Sequence, residues 1–435
     1  MTLPRIPTRR SVRAALAAAA ATLSLLAASG CGGSGDGGGQ TFTIWHYEDP
    51  EGALGTAWQA AIEEFERTHP DVTVEFELRT FDQMQQTSGM VLNSDEAPDL
   101  MEYNKGNATA GLLSSQGLLT DLTEVAQERG WADMLGENLS TAARYDDSGR
   151  MGGDRWYGIP NYGEYVLMYY NQDMFEEYGI EVPTDQASFE TALRRFADEG
   201  VTPIANAGND HPAQHWLYLL ALTQADQEWV ENYQFRGETD FGGPEWTYAA
   251  ETYREWLDRG YFAEDSVGLV GNDMTESFVA GEHPIMVGGN WWYGGLADDI
   301  RDFEWGALPY PGSELAPGSA GNLWVVPARS QQQELAYDFI DITMSPEIQA
   351  LLGNEGSVPV SVDPADIEDE RARDVITGFQ SLEENNGLAL YADWPIAGYY
   401  DTYVAAVQNL MNGARPEDLL DEIAGPYEEF AASLG

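Results

Sequence analysis

The chain has 435 residues, with 73 acidic against 21 basic side chains and a net charge of −52 at pH 7. So negative a surface repels nucleic acid and anionic lipid headgroups, and both are excluded as partners. Its 13 tryptophans, 22 tyrosines and 43% hydrophobic residues supply a packed core, which excludes a disordered acidic chain.

Residues 1–30 read as a secretory signal peptide. Arg5, Arg9, Arg10 and Arg13 form a basic start, Ala14 to Ala28 is an apolar run too short to span a bilayer, and small residues follow. Cys31, the sole cysteine, stands directly after them, as in a bacterial lipobox, and is the expected lipid anchor. Several acyl chains on one cysteine hold a protein stably on a membrane, where a single chain does not. GGSGDGGGQ, residues 32–40, then reads as a flexible tether. The expected place is therefore the outer face of the cytoplasmic membrane, reached by either the general or the twin-arginine route. The carboxylate-rich surface suits saline or alkaline surroundings.

Strands and helices alternate from Thr41. TFTIWHY has strand composition, Leu54, Trp58, Ile62 and Phe65 follow at helical spacing, DVTVEFEL alternates, and APDLMEY is a third strand. Strand–helix–strand order predicts a parallel, helix-covered sheet. A second such run begins at Tyr157, with helices around Phe189 to Phe196, Gln214 to Leu222 and Glu245 to Leu257. HPIMVGG and the segments around Trp305 and Asn322 to Val326 are strand-like, and the last hundred residues are mostly helical. Ser345-Pro346-Glu347 marks a helix start.

Lys105 is the only lysine. Gly106 follows it, so the chain lacks the Gly-Lys-Ser/Thr of a phosphate-binding loop. No Gly-x-Ser-x-Gly elbow is present, and the one cysteine lies at the lipid site, so no catalytic triad is expected and the chain is read as a binder, not an enzyme. No cofactor and no metal are expected.

Several segments stand in one order: IWHYED, FERTHPDVTVEFE, APDLMEYN, GLLTDLTE, WYGIPNYGEYVLMYYNQDMFEEYGI, FVAGEHPIMVGGNWWYGG, ALPYPG and TMSPEIQALLGNEGSVPV. From Thr41 to about Phe430 the chain thereby resembles the extracellular solute-binding proteins of ABC transporters, in the carbohydrate-binding group similar to maltose-binding protein. The resemblance implies an α/β protein with the two-lobed type II periplasmic-binding-protein fold, whose interlobe crossovers form a hinge around a ligand cleft. It implies crossings near Gly158 to Gly163, Met286 to Asn290 and Gly321 to Val325. The expected N-terminal lobe is 41–159 plus 290–322, and the C-terminal lobe is 160–289 plus 323–435. A monomer is expected that captures a carbohydrate, more readily an oligosaccharide, and passes it to ABC permease subunits.

A sugar offers an apolar ring face and a rim of hydroxyls, so its site needs flat aromatics and short polar groups. In GGNWWYGG, Trp291 or Trp292 is expected to stack on a sugar, with Asn290 near the rim and the glycines clearing the backbone. For Trp45, Trp216 and Trp324 a core position competes with a place in the cleft. Trp394 and Tyr399, in YADWPIAGYY, are placed at the cleft by family position, as is the acid Glu164. Tyr47 and Glu48 after the first strand, and Tyr103, Asn104 and Lys105 after the third, complete the candidate set. Two other readings compete: a binder of a polyamine or other cation, since acids and aromatics also cage an amine, and a glycoside hydrolase built on paired carboxylates.

Overall fold

A computed structural model describes residues 40–434 apart from 51 and 397. The expected leader, the expected lipid anchor at Cys31 and the expected tether up to residue 39 lie outside the described residues.

Thirteen strands occur along the described chain: β1 (Gln40–His46), β2 (Val72–Leu78), β3 (Leu100–Tyr103), β4 (Arg144–Tyr145), β5 (Arg155–Trp156), β6 (Ile159–Pro160), β7 (Tyr162–Asn171), β8 (Ile204–Ala205), β9 (Ile285–Gly289), β10 (Trp305–Pro309), β11 (Gly318–Ala320), β12 (Leu323–Val325) and β13 (Val358–Pro359). Three of them start the first sheet as expected, with β1 parallel to both β2 and β3. Its full order is β2-β1-β3-β12-β6, and β12 runs antiparallel to β3 and to β6. The second sheet is organised on the ten-residue β7, which pairs antiparallel with β9 and β10 along one half and with β11 and β13 along the other.

The period of each segment explains its place. In helix Ala53–Thr68, Ala57, Trp58, Ala61, Ile62 and Phe65 are buried on one stripe. That stripe meets the Phe42 and Ile44 face of β1, with Phe42 and Phe65 stacked at 5.4 Å. Helices Gln333–Thr343 and Pro346–Asn354 pack on the same helix. Trp58 and Phe339 close edge-on over Trp324 of β12, at 5.4 and 5.5 Å. Helix His211–Leu222 is instead buried on every side from Pro212 to Leu222, as suits the centre of the second lobe. The Ser345 cap forms as expected, its side chain accepting from Ile348 N.

The expected lobe boundaries need correction. Residues 290–322 were assigned to the first lobe, yet they carry β10 and β11, both paired with β7 of the second sheet. Residues 323–325 were assigned to the second lobe, yet β12 pairs with β3 and β6 of the first. The chain passes between the sheets at 161, between β6 and β7, and at 321–322, between β11 and β12. A further passage follows helix Pro346–Asn354 and leads into β13. No passage falls at 286–290, because β9, β10 and β11 all stay on β7. The glycine-rich turn after β9 imitates a crossover in sequence while serving its own two tryptophans.

The Trp58–Trp324–Phe339 packing generates a prediction. Trp324→Ala should lower unfolding free energy by about 3–5 kcal/mol, the usual cost of emptying a large aromatic site. A urea midpoint indistinguishable from the parent protein would refute that packing role.

Candidate functional site

The site begins with the chain's one lysine. After β3 the backbone turns at Gly106, whose φ of 118° lies where side-chain-bearing residues are disfavoured. Gly106 N donates to the Tyr145 hydroxyl at 2.9 Å, fixing the turn. Lys105, 3% exposed, is thereby aimed at Glu164 of β7 and forms an ion pair with it. Its ammonium also lies 5.5 Å from the centre of the Trp394 ring. Breaking one partner of so buried a pair strands a charge, which is more costly than the pair is worth.

Beside this pair stands Glu48, half-buried, on the loop after β1, accepting from Asn322 Nδ2 at 3.0 Å. Burial pushes its carboxyl up, against the hydrogen bonds from Glu102 and Asn322. Tyr47 and Tyr162 are also pushed up, by burial first and then by the carboxyls of Glu48, Glu102 and Glu164.

An aromatic wall rises on the other side. Asp210 caps helix His211–Leu222 through His211 N at 2.7 Å and also accepts from the Tyr400 hydroxyl at 2.8 Å and Gly271 N at 3.1 Å. Burial pushes Asp210 up, but the His211 and Tyr400 hydrogen bonds outweigh it and leave the carboxyl below the usual range. The His211 ring stacks on Trp292 at 5.2 Å and 18°, and lies 5.6 Å from Trp291. Trp291 continues the wall to Tyr391 at 6.4 Å, and Tyr391 to Trp394 at 5.1 Å. His215 closes the back of the wall, 6.1 Å from Trp291 and held neutral by burial.

GGNWWYGG is explained by this wall. A Cβ on Gly288 would sit 2.3 Å from the Trp292 ring, and one on Gly289 would sit 2.1 Å from the Trp291 ring. Both rings fold back over the end of β9, and only bare backbone leaves them room. Trp291 remains 40% exposed, so it is the member of the pair that offers a face.

The segment carrying Tyr391 and Trp394 follows Leu390, a non-glycine residue at φ 57°. Strain of this kind persists only where surrounding structure enforces it. Asn107 Nδ2 donates to Pro395 O at 3.3 Å and its Oδ1 accepts from Met151 N at 2.8 Å, tying the segment to the lysine turn. Asp393, pushed up to about 6 by burial, lies in the same segment, and Lys105 and His211 draw it back down.

Of the expected residues, Lys105, Glu164, Trp291, Trp292 and Trp394 meet here, with Tyr47 and Glu48 beneath. Asn104 stands next to Lys105, and its carbonyl accepts from Ala110 N at 3.2 Å. Others lie elsewhere. Trp216 is fully buried against Phe189, Trp256, Phe262 and Tyr310. Trp324 is core, as described. Tyr399 is buried, its hydroxyl donating to Ile423 O at 2.6 Å, and the next residue, Tyr400, reaches the wall instead. Tyr103 is buried in the first core. Asn290 is 2% exposed with both ends of its amide engaged: Oδ1 accepts from Tyr165 N at 2.8 Å and Nδ2 donates to Gly163 O at 3.3 Å. It fastens β7 to the end of β9 and does not sit at a ligand rim.

Trp45 lies under the Arg79 guanidinium at 4.5 Å and lines a cavity of about 580 Å³ with Glu75, Glu77, Asp95 and Glu96. No residue of the lysine–tryptophan cluster lines that cavity. His211, His215, Tyr391, Asp393 and Tyr400 went unassigned in sequence. The Asp-His-Pro helix start would have pointed to His211.

No helix of the described residues is long and apolar enough to cross a membrane. Among them no group of three or more His, Cys, Asp or Glu is placed to hold a metal.

Residues 49–350 match the family model of the bacterial extracellular solute-binding proteins. A maltooligosaccharide ABC transporter solute-binding lipoprotein from Streptococcus pneumoniae is 23% identical over 280 residues, which cover 60% of this chain and 58% of that relative. Among solved structures, a chitin oligosaccharide binding protein superposes with a TM-score of 0.75 at 20% identity, over 90% of this chain and 99% of that one. An ABC substrate-binding protein from Listeria monocytogenes, solved with cycloalternan, superposes with a TM-score of 0.71 at 20% identity, over 91% and 99%. Two sheets joined by passages beside a buried ion pair, with the family match over 49–350, make this chain a member of the bacterial extracellular solute-binding protein family, with the type II periplasmic-binding fold.

Proposed function

We propose that the protein is the substrate-binding component of an ABC importer and captures a carbohydrate between its lobes for delivery to a membrane permease. The observation that carries this reading is the wall of Trp291, Trp292, His211, Tyr391 and Trp394 facing the Lys105–Glu164 pair. Aromatic faces stack on the C–H side of a sugar ring, and charged groups at fixed positions bond its vicinal hydroxyls. Elements of both sheets contribute, so a bound ligand favours the closed arrangement. The curated relative that is 23% identical over 280 residues is a maltooligosaccharide ABC transporter solute-binding lipoprotein, which favours a sugar over a cation. In this reading Cys31 carries the lipid anchor, the protein acts as a monomer, and it leaves its ligand chemically intact.

A thermal-shift screen over mono- and oligosaccharides tests the reading, because a ligand at a hundred times its Kd stabilises by about 2.7 kcal/mol. A carbohydrate should raise the Tm, and putrescine and spermidine should not. The opposite pattern would overturn the carbohydrate reading, and release of shorter sugars on incubation would overturn the receptor role.

Trp291→Ala should weaken binding of that sugar by roughly tenfold or more, since an aromatic stack contributes about 0.5–1.5 kcal/mol beyond its buried area. Gly289→Ala should do the same indirectly by displacing the Trp291 ring, whereas Gly295→Ala, with open space around its Cβ position, should not. Equal affinities for the two glycine variants in calorimetry would contradict this account.

Asp393 generates a pH prediction. Its pKa is raised on folding, so the stability it contributes is full below the ordinary aspartate value of 3.8 and is lost as pH rises through about 6. Asp393→Asn should flatten that part of the Tm profile. A variant whose profile still parallels the parent's would place the titration elsewhere.

A further inference from the structure

Glu102 is a buried acid that the carbohydrate site does not touch. It lies in β3, 1% exposed, opposite Trp324 of β12. No hydrogen bond of normal geometry satisfies either of its carboxyl oxygens or the buried Trp58 indole N–H, and that indole and the Glu48 carboxyl are the polar groups that act on it most directly. An isolated buried carboxylate of this kind is among the most expensive groups to fold around.

The groups facing it come from four elements. The end of β1 and its loop bring Tyr47 and Glu48, the turn after β3 brings Lys105, β7 brings Tyr162, with Glu164 acting on Glu48, and helix Ala53–Thr68 brings the Trp58 indole, while Tyr103 points to the other face of β3. Three carboxyl groups thus share one cation, and Lys105 is already engaged by Glu164. Glu48 has the Asn322 amide to stabilise its charge and sits nearer solvent, whereas Glu102 has neither. Of the two, Glu102 is the one that keeps a proton.

We propose that Glu102 remains a neutral acid and donates its O–H to the Glu48 carboxylate, acting as a positioning residue that holds Glu48 in the ligand site. The role rests on the carbohydrate reading above. No proton needs to move: the hydroxyl of one carboxyl satisfies an oxygen of the other, and Asn322 fixes the rest of Glu48 beside the passage between β11 and β12. Burial and the Glu48 charge both push Glu102 well above the ordinary carboxylate range. For a raised acid the favourable contribution is complete at low pH and disappears as pH climbs through its folded value. Once the proton leaves, two like charges face each other, and Glu48, on a loop, is the one free to move away.

The test compares the full chain with Glu102→Gln, whose amide still donates to Glu48 but does not titrate, and with Glu102→Met, which packs without donating. Calorimetry with maltotriose, chitotriose, xylotriose and raffinose is run from acidic to alkaline pH. Affinity of the parent protein should fall in the alkaline range by up to about tenfold per pH unit, the limit for one linked proton. Glu102→Gln should match the parent at low pH and stay level, and Glu102→Met should bind weakly throughout. Infrared difference spectra should show the carbonyl stretch of a neutral carboxylic acid in the parent at neutral pH, and none in Glu102→Gln. An alkaline decline that survives in Glu102→Gln, or the lack of that stretch in the parent, would overturn the proposal. If none of the sugars binds, the carbohydrate reading fails and the positioning role with it, while the infrared stretch still decides the shared proton.

Discussion

The ion pair of Lys105 and Glu164 is the constraint around which the rest of this molecule is arranged. It joins the turn after β3, which belongs to the first sheet, to β7, on which the second sheet is built. Removing either partner would leave a buried charge uncompensated, at a cost of about 3–5 kcal/mol. Each neighbouring feature can be understood as support for that pair. Gly106 and Tyr145 set the turn, Trp394 covers the ammonium, and Asn107 fastens the covering segment. In a chain with so few cations, spending the sole lysine at this point makes the junction between the sheets electrostatically unlike the rest of the surface.

The two sheets solve different problems. The first is parallel at β1, β2 and β3, and its face is closed by a helix stripe whose period is visible in the sequence. The second depends on one long strand, β7, that serves two sets of antiparallel partners along its length. Antiparallel partners arriving from residues 285–359 give β7 long-range contacts that no local pattern announces. The aromatic wall stands beyond the C-terminal end of β9, and strand ends of this kind are the usual position for a ligand in open α/β sheets.

Sequence reasoning reached the alternation at 72–78, the helical stripe at Leu54 to Phe65, the Ser345 cap and the family fold, because each rests on local periodicity or on ordered motifs. It reached Lys105, Glu164, Trp291 and Trp394 through composition and family position. It placed Trp216 too near the cleft because its neighbour His215 is the residue that turns to the wall, while Trp216 points into the core of a helix buried on every side. It preferred Tyr399 to Tyr400 because two adjacent tyrosines differ only by helical phase, which tertiary packing sets. The glycines of GGNWWYGG were expected to clear the backbone for a ligand at a crossover, whereas Gly288 and Gly289 clear it for the indole rings laid across the strand end. Asn290 shows the same limit: an exposed-looking amide in sequence becomes a clasp between two strands once β7 is placed beside it.

The lysine has one more consequence, for chemistry done on the protein. Every other cationic side chain is an arginine or a histidine, so the chain carries a single ε-amine, and that amine is 3% exposed beneath an indole. Acylating reagents that modify dozens of surface sites on an ordinary protein find one side-chain target here, at the junction of the two sheets. The rate at which that target reacts is therefore a built-in gauge of how often the covering segment lifts, readable by mass alone and without introducing any label.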